Sequence, residues 1–110
     1  MTRLAKGDVI WVAFPFVEQG QLKSRPALVL NFADIGDGLC WAAMITGAGK
    51  AAWPGDVPIA DHHACGLPIA SIIRTAKLAT LNAAAAQRIG AVPPATLIAV
   101  DAWLRTKLGL

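Results

Sequence analysis

The sequence predicts a mainly β domain with a single C-terminal α-helix, built as a small, strongly curved antiparallel barrel. Short runs rich in Val, Ile, Leu and aromatic residues alternate with glycine- and proline-rich turns, which is typical of short strands. The first run is apolar on both of its faces, so it must be covered on both sides. Only the last stretch of the chain places its apolar residues at helical spacing.

Three strands are predicted in the first half of the chain. The first covers Val9 to Phe16 and the second Ala27 to Leu30, with a polar loop from Glu18 to Ser24 between them. The segment from Asp34 to Gly38 is dense in turn residues and should connect the second strand to a third one over Leu39 to Thr46.

The second half is predicted to hold a short strand over Val57 to Ala60 and a long one over Ile69 to Leu78. A loop from Asp61 to Gly66 separates them. The alanine-rich segment from Asn82 to Arg88 favours a helix behind an Asn cap but is too short to hold one alone. We therefore predict one helical turn there, followed by a short strand around Arg88 to Ala91.

A C-terminal helix is predicted to begin at Pro93-Pro94, because proline is favoured in the first turn of a helix. Five apolar residues after it recur at helical spacing and form one stripe: Leu97, Val100, Trp103, Leu104 and Leu108. We expect this stripe to pack against the sheet.

The composition is that of one domain spanning residues 1–110, with 55% apolar and 15% charged residues. A chain of this size cannot bury so much apolar surface within itself, so we expect an exposed apolar patch for self-association or partner docking. The net charge of +3 permits a polyanionic partner without requiring one. The sequence has no signal-peptide pattern and no apolar run of membrane-spanning length, so we expect a cytoplasmic protein without a membrane partner.

One cluster of metal-ligand residue types lies at Asp61-His62-His63-Ala64-Cys65. Adjacent side chains of an extended chain point in opposite directions, so at most two or three of them can meet one ion. A thiol nucleophile, Cys40 or Cys65 with a histidine base, is a further alternative. We favour a polar surface loop here, and predict neither a metal site nor a cofactor.

Two residues at strand ends are candidates for chemistry. Arg25 stands where the first loop re-enters the sheet, and its guanidinium offers five donors in a planar fork that fits a phosphate. The alternative is an arginine that caps loop carbonyl groups. Thr46 places a hydroxyl after an apolar strand, although threonine is also an ordinary strand residue.

Four segments of the chain, in order, carry a resemblance to a known family. They are GDVIWVAFPF with KSRPALVL, then AMIT, then GL followed by SIIR, and finally IG with a proline and a helix ending in LGL. In this order the chain resembles the MazF/PemK family of toxin endoribonucleases over nearly its whole length. The resemblance implies an SH3-like barrel of the MazF/PemK/CcdB type with the helix packed on it.

The resemblance also implies the toxin of a type II toxin–antitoxin system, a metal-independent endoribonuclease that cleaves single-stranded RNA to 2′,3′-cyclic phosphate and 5′-OH ends. Arg25 and Thr46 match the family's catalytic arginine and hydroxyl residue. The family often has a second polar residue after the hydroxyl, whereas this chain has Gly47, whose amide can substitute. A guanidinium is a poor base, so Glu18 is the alternative base.

Contacts with RNA are predicted from lysines that take phosphates, aromatic rings that stack on bases, and backbone near the catalytic pair. The predicted RNA-binding residues are Phe16, Glu18, Lys23, Pro26, Gly47 and Lys50, and Trp53 is a further candidate for stacking. The expected partners are single-stranded RNA, a cognate antitoxin and a second copy in a homodimer. The alternative function is a noncatalytic interaction module on the same barrel, for example one that binds a topoisomerase.

Overall fold

The computed structural model of the protein describes residues 4–16, 21–31 and 35–110. Its elements are β1 (Asp8–Phe16), β2 (Gln21–Val29), β3 (Leu39–Gly47), β4 (Asp56–Pro58), β5 (Ser71–Asn82), a 3-10 turn (Ala83–Ala85), β6 (Gln87–Ala91) and helix α1 (Pro94–Leu108). The strands form one antiparallel sheet in the order β4-β5-β3-β2-β1-β6. The predicted mainly β class with a C-terminal helix is confirmed.

The hairpin of β1 and β2 is longer than the sequence pattern predicts. We expected Lys23 and Ser24 to lie in a loop, but they pair with Phe14 and Ala13 and belong to β2. Both polar side chains are exposed at this end of the hairpin, so the strand there lacks the apolar pattern by which it would be recognised. The segment 17–20, which includes Glu18, lies outside the described residues.

The later elements follow the predicted order with shifted ends. β4 begins one residue early at Asp56, and β5 begins at Ser71 and continues to Asn82. The predicted helical turn is confirmed as the 3-10 turn, where the side chain of Asn82 accepts a hydrogen bond of 3.0 Å from the backbone N–H of Ala84. The predicted short strand is confirmed as β6.

Both faces of the sheet are packed, as the apolar character of the first strand predicts. One face, the helix face, builds a core with α1 from apolar residues such as Val9, Leu28, Ile45, Ile73 and Val100. The opposite face carries a second core, which includes Val12, Ala27, Val29, Met44 and Leu81. Since alternate residues of a strand share a face, Arg25 belongs to this second side, which we call the Arg25 face.

Helix α1 packs on the sheet through only part of its predicted stripe. Val100 is buried, and Leu97 and Leu104 are packed against the same core. The prediction is wrong for Trp103 and Leu108, which are 42% and 64% exposed. Trp103 lies to one side of the line that Leu97, Val100 and Leu104 form along the helix, and Leu108 lies in the last turn, beyond that core. No helix among the described residues is long and apolar enough to cross a membrane.

The sheet is curved so strongly that residues preceding β5 reach the opposite edge strand, β6. The ladder of the described residues stays open, with β4 and β6 at its edges. A Cβ atom added to Gly66 would lie 2.0 Å from the carbonyl oxygen of Ile89, and one added to Gly90 would lie 2.0 Å from that of Cys65. Only glycine permits two backbone segments to approach this closely, so the two glycines complete the curvature.

Candidate active site

Arg25 lies in β2 opposite Val12 of β1, at the border between the apolar core of its face and the exposed end of the hairpin. The residue is half-buried, and its Nε atom is shielded from solvent. Burial of one end of a guanidinium fixes the direction of the fork. The sequence predicts Arg25 at a strand end, but this is wrong: β2 begins at Gln21, so Arg25 lies in the middle of the strand, where the ladder with β1 holds its backbone.

Thr46 lies at the end of β3 and pairs with Ile72 of β5. It is only 5% exposed, so most of the residue is packed within the strand end. A β-branched residue in a sheet has a restricted side-chain rotamer, and this packing restricts it further. Its hydroxyl is therefore held in a defined position.

The β2–β3 register relates the positions of Arg25 and Thr46. Ala27 of β2 pairs with Met44 of β3, so both lie on the Arg25 face, and pairing between the two strands stops there. The same register continued by two residues would place Arg25 level with Thr46 on that face, one strand apart. Neighbouring strands are about 4.8 Å apart, so a single phosphate group is of the right size to bridge the two side chains.

Not every predicted RNA-binding residue lies with this pair. Lys23 is two residues from Arg25 on the same face and is exposed, whereas Pro26 lies on the opposite face, paired with Trp11. Gly47 ends β3 and accepts a hydrogen bond of 3.2 Å from the backbone N–H of Lys50, which is exposed in the turn that follows. The side chain of Phe16 lies outside the described part of the chain, as does all of Glu18.

A buried ion pair on the Arg25 face was not predicted from the sequence. Arg74 of β5 pairs with Met44 in the ladder and is almost wholly buried. Its Nε and Nη2 atoms donate to the two carboxylate oxygens of Asp56 over 3.2 and 3.0 Å, and Nη2 also donates to the carbonyl of Ala51 over 2.8 Å. This two-point geometry is the strong form of an arginine–carboxylate pair.

The ion pair keeps Asp56 negatively charged. Burial by itself raises the pKa of the carboxyl group. Hydrogen bonds from Arg74 and from the backbone N–H of Trp53, together with the charges of Arg74 and Lys107, outweigh burial, so the pKa of Asp56 is lower than its ordinary value. The carboxyl group of Asp56 is therefore ionised at neutral pH.

Residues 48–55, which we call the Trp53 loop, are fixed by side chains from distant elements. The carbonyl of Gly55 accepts a hydrogen bond of 2.7 Å from the buried hydroxyl of Thr75, and that of Pro54 accepts one of 3.3 Å from Lys107 of α1. The backbone N–H of Trp53 donates to Asp56 over 2.8 Å. The guanidinium of Arg74 lies 4.4 Å from the centre of the Trp53 ring. The loop is thus anchored to both the sheet and the helix.

Residues 61–66, which we call the histidine turn, are stabilised mostly by their own backbone. The carbonyl of His62 accepts from the N–H groups of Cys65 and Leu67 over 3.1 and 2.9 Å. A carboxylate oxygen of Asp61 accepts from the N–H of Ala64 over 3.2 Å. Within the described residues no three His, Cys, Asp or Glu side chains are grouped as metal ligands.

The two cysteines are buried. Burial raises the pKa of both thiols, and the negative charge of Asp61 raises that of Cys65 further. A raised pKa leaves little thiolate at neutral pH, and the thiolate is the nucleophilic form. Neither group is thus suited to nucleophilic catalysis.

An apolar groove of about 670 Å³ lies on the helix face, between the end of α1 and the sheet. Its apolar lining consists of Leu30, Trp41, Leu78, Leu104, Leu108 and Leu110. An ion pair of 2.9 Å between Lys6 and Asp101 borders it. Trp41, Leu78 and Leu108 are exposed, so the predicted excess of surface apolar residues is present.

Comparison with solved structures shows the same fold in several proteins. MazF from Deinococcus radiodurans is 25% identical with a TM-score of 0.81, and the match covers 100% of both chains. A MazE–MazF structure from that organism is 24% identical with a TM-score of 0.77, covering 100% of this chain and 99% of the other. A mycobacterial endoribonuclease in complex with its cognate antitoxin is 19% identical with a TM-score of 0.75, covering 98% and 97%.

The family comparison covers nearly the whole chain. A search of curated proteins gave no match. The family model for the PemK-like, MazF-like toxin of type II toxin–antitoxin systems matches residues 5–108, which include every element of the sheet and α1. The chain therefore belongs to the family of PemK-like and MazF-like toxins of type II toxin–antitoxin systems.

Proposed function

We propose that this toxin is a metal-independent endoribonuclease that cleaves single-stranded RNA and leaves 2′,3′-cyclic phosphate and 5′-OH ends. The observation that carries the proposal is the β2–β3 register, which, continued two residues beyond its last pair, puts Arg25 level with Thr46 on one face. Family membership and the mycobacterial endoribonuclease of the same fold support it.

The reaction transfers a phosphoryl group within the RNA, from the 5′-oxygen of one nucleotide to the 2′-oxygen of the nucleotide before it. The ribose 2′-oxygen attacks the adjacent phosphorus, and its proton passes to a base. The bond from phosphorus to the 5′-oxygen of the next nucleotide breaks, and that oxygen takes up a proton to become the 5′-OH end. Negative charge accumulates meanwhile on the non-bridging phosphate oxygens, so fixed donors directed at them lower the barrier.

Arg25 and Thr46 supply such donors. The half-buried guanidinium of Arg25 binds two phosphate oxygens in a fixed direction, and the hydroxyl of Thr46 donates to a phosphate oxygen from the next strand. The loss of one donor of this kind costs about 3–4 kcal/mol of barrier in other enzymes. Glu18, seven residues before Arg25 in the sequence, is the candidate base.

The proposed partners are a second copy of the chain and a cognate antitoxin that occupies the RNA-binding face. The exposed apolar residues on the helix face support self-association. Lysines near the catalytic pair, Lys23 and Lys50, support binding of an acidic antitoxin segment in place of RNA. Gel filtration at the monomer mass would contradict the homodimer.

The experiment that tests the proposed activity is cleavage of a mixed-sequence single-stranded RNA in EDTA, by wild type and by Arg25→Ala, with analysis of the new ends. We expect wild type to leave cyclic phosphate ends and Arg25→Ala to leave the RNA intact. Arg105→Ala is the control, since it removes an exposed positive charge on α1, away from the catalytic pair, and should still cut. A folded wild type that does not cut would support the noncatalytic interaction module.

A further inference from the structure

We propose that Trp53 forms a base-stacking subsite of the RNA-binding face, with Arg74 as the residue that positions it. The inference deepens the proposed ribonuclease function and rests on it. It concerns a tryptophan that the loop displays to solvent and holds rigidly at the same time. Four observations carry it, in the order in which they build the subsite.

The first observation is the exposure of the ring. Trp53 is 38% exposed, although its backbone is fixed by a hydrogen bond of 2.8 Å to Asp56. The Arg74 guanidinium 4.4 Å from the ring centre is almost wholly buried, so Arg74 supports the ring from the side of the sheet. The exposed part of the indole therefore faces outward.

The second observation is the location of the ring. Arg74 and Asp56 pair in the β4–β5 ladder and belong to the Arg25 face, because Arg74 also pairs with Met44. β5 is two strands from β2, a lateral distance of about 10 Å at the usual strand spacing. A base one or two nucleotides from a phosphate at Arg25 is thus within reach of Trp53.

The third observation is positive charge around the ring. The ammonium group of Lys77 lies 5.0 Å from the ring centre, and Lys107 reaches the adjacent Pro54 carbonyl over 3.3 Å. Lys50 is exposed in the same loop. An aromatic platform beside cations is the combination by which proteins bind single-stranded nucleic acid, since bases stack on the ring and phosphates pair with the cations.

The fourth observation is preorganisation. The Trp53 loop is held by Arg74, Thr75 and Lys107, so the ring needs little ordering when a base arrives. Binding to a fixed ring avoids the entropy cost of immobilising a loop. Arg74 thereby acts through Trp53 and Asp56 and does not itself contact RNA.

The test measures binding of a single-stranded RNA in which every 2′-hydroxyl is replaced by fluorine, so that no cleavage occurs. Trp53→Leu keeps an apolar cover over the ion pair but removes the aromatic ring, while Trp53→Phe keeps a ring. We expect Trp53→Leu to weaken the Kd by about 5- to 150-fold and Trp53→Phe to restore most of the affinity. Trp11→Leu, which changes an exposed tryptophan on the face opposite Arg25 and outside the apolar groove, is the control and should bind like wild type.

Abasic nucleotides then locate the stacked base. Once the cleavage position is mapped, one abasic nucleotide beside it should weaken RNA binding by wild type by the same factor as the substitution Trp53→Leu does. The same abasic nucleotide should not weaken RNA binding by Trp53→Leu further.

If Trp53→Leu binds like wild type while Arg25→Ala fails to cleave, the proposed subsite is wrong and the proposed ribonuclease activity stands. If Trp53→Phe and Trp53→Leu weaken RNA binding equally and both lower thermal stability, Trp53 only covers the ion pair and the proposed subsite is wrong. If wild type neither binds nor cleaves RNA, the subsite and the ribonuclease are both wrong.

Discussion

The Trp53 loop, which precedes β4, and the histidine turn, which precedes β5, show two different ways to fix an irregular segment. In the Trp53 loop, the carbonyl groups of Ala51 and Gly55 are taken by buried side chains of β5. In the histidine turn, the backbone groups bond mostly to each other, and Cys65 is anchored in the core. The first arrangement leaves an aromatic ring and cations at the surface, whereas the second brings the turn into close contact with β6.

The comparison teaches that residue types alone do not identify the loop that we propose to bind RNA. The histidine turn contains more residue types that bind metals or act in catalysis, yet Asp61 serves as an acceptor for its own turn. In sequence the Trp53 loop offers only a candidate for stacking and a lysine, yet a buried ion pair lies beneath it. The way a loop is held indicates whether it is built to present side chains.

The largest expected effect on stability comes from breaking the ion pair under the Trp53 loop. Arg74→Met leaves the carboxylate of Asp56 buried without its guanidinium, and we expect a loss of about 3–5 kcal/mol in the free energy of unfolding. Urea denaturation measures it. The double variant Arg74→Met with Asp56→Leu should recover much of the loss, since both charges are then removed. A loss below about 1 kcal/mol for Arg74→Met would mean that the pair does not hold the loop.

A smaller effect is expected from the close approach that the histidine turn makes to β6. Gly90→Ala places a methyl group 2.0 Å from the Cys65 carbonyl oxygen, and we expect a loss of about 1–3 kcal/mol because the backbones must separate. Gly49→Ala is the matched control, since its added methyl group meets no atom within 4 Å. Equal stability of the two variants in urea would show that the close contact between the histidine turn and β6 does not constrain the fold.

The smallest expected effect is the loss, in acid, of the stabilisation that Asp56 provides. Its pKa is lower in the folded than in the unfolded chain, so its stabilisation is complete above the unfolded pKa near 3.8 and is lost as the pH falls through the folded pKa. We expect the free energy of unfolding of wild type to fall below about pH 4 more steeply than that of Asp56→Asn. Parallel pH profiles would contradict a charged Asp56 in the folded state.

Much of the fold follows from local patterns. The apolar runs of β1 and β3 and the Pro94 start of α1 are visible in the sequence because burial and backbone preference act there on neighbouring residues. The first residues of β2 cannot be recognised as a strand in the sequence, because only their pairing with β1 makes them one. The exposure of Trp103, next to the packed Leu104, depends on which side of the helix the core covers, and the apolar spacing alone does not specify that side.

The candidate site was predictable to a similar degree. Arg25 and Thr46 stand out as polar residues next to apolar runs, but their position relative to each other depends on the β2–β3 register. The partnership of Arg74 with Asp56 joins residues 18 positions apart through the β4–β5 ladder. Such pairings depend on tertiary register, so the sequence offers an arginine in an apolar strand as the only signal.

The most direct test of the account is the single-turnover cleavage rate at saturating RNA, in EDTA, for wild type, Arg25→Lys and Trp53→Leu. We predict that Arg25→Lys loses about 10²- to 10³-fold in rate, because a point charge does not reproduce the two-point donor, while its affinity for RNA stays within a few-fold of wild type. Trp53→Leu should need more RNA to saturate but then cleave at nearly the wild-type rate. Wild-type cleavage by Arg25→Lys, or cleavage that stops in EDTA, would contradict the account.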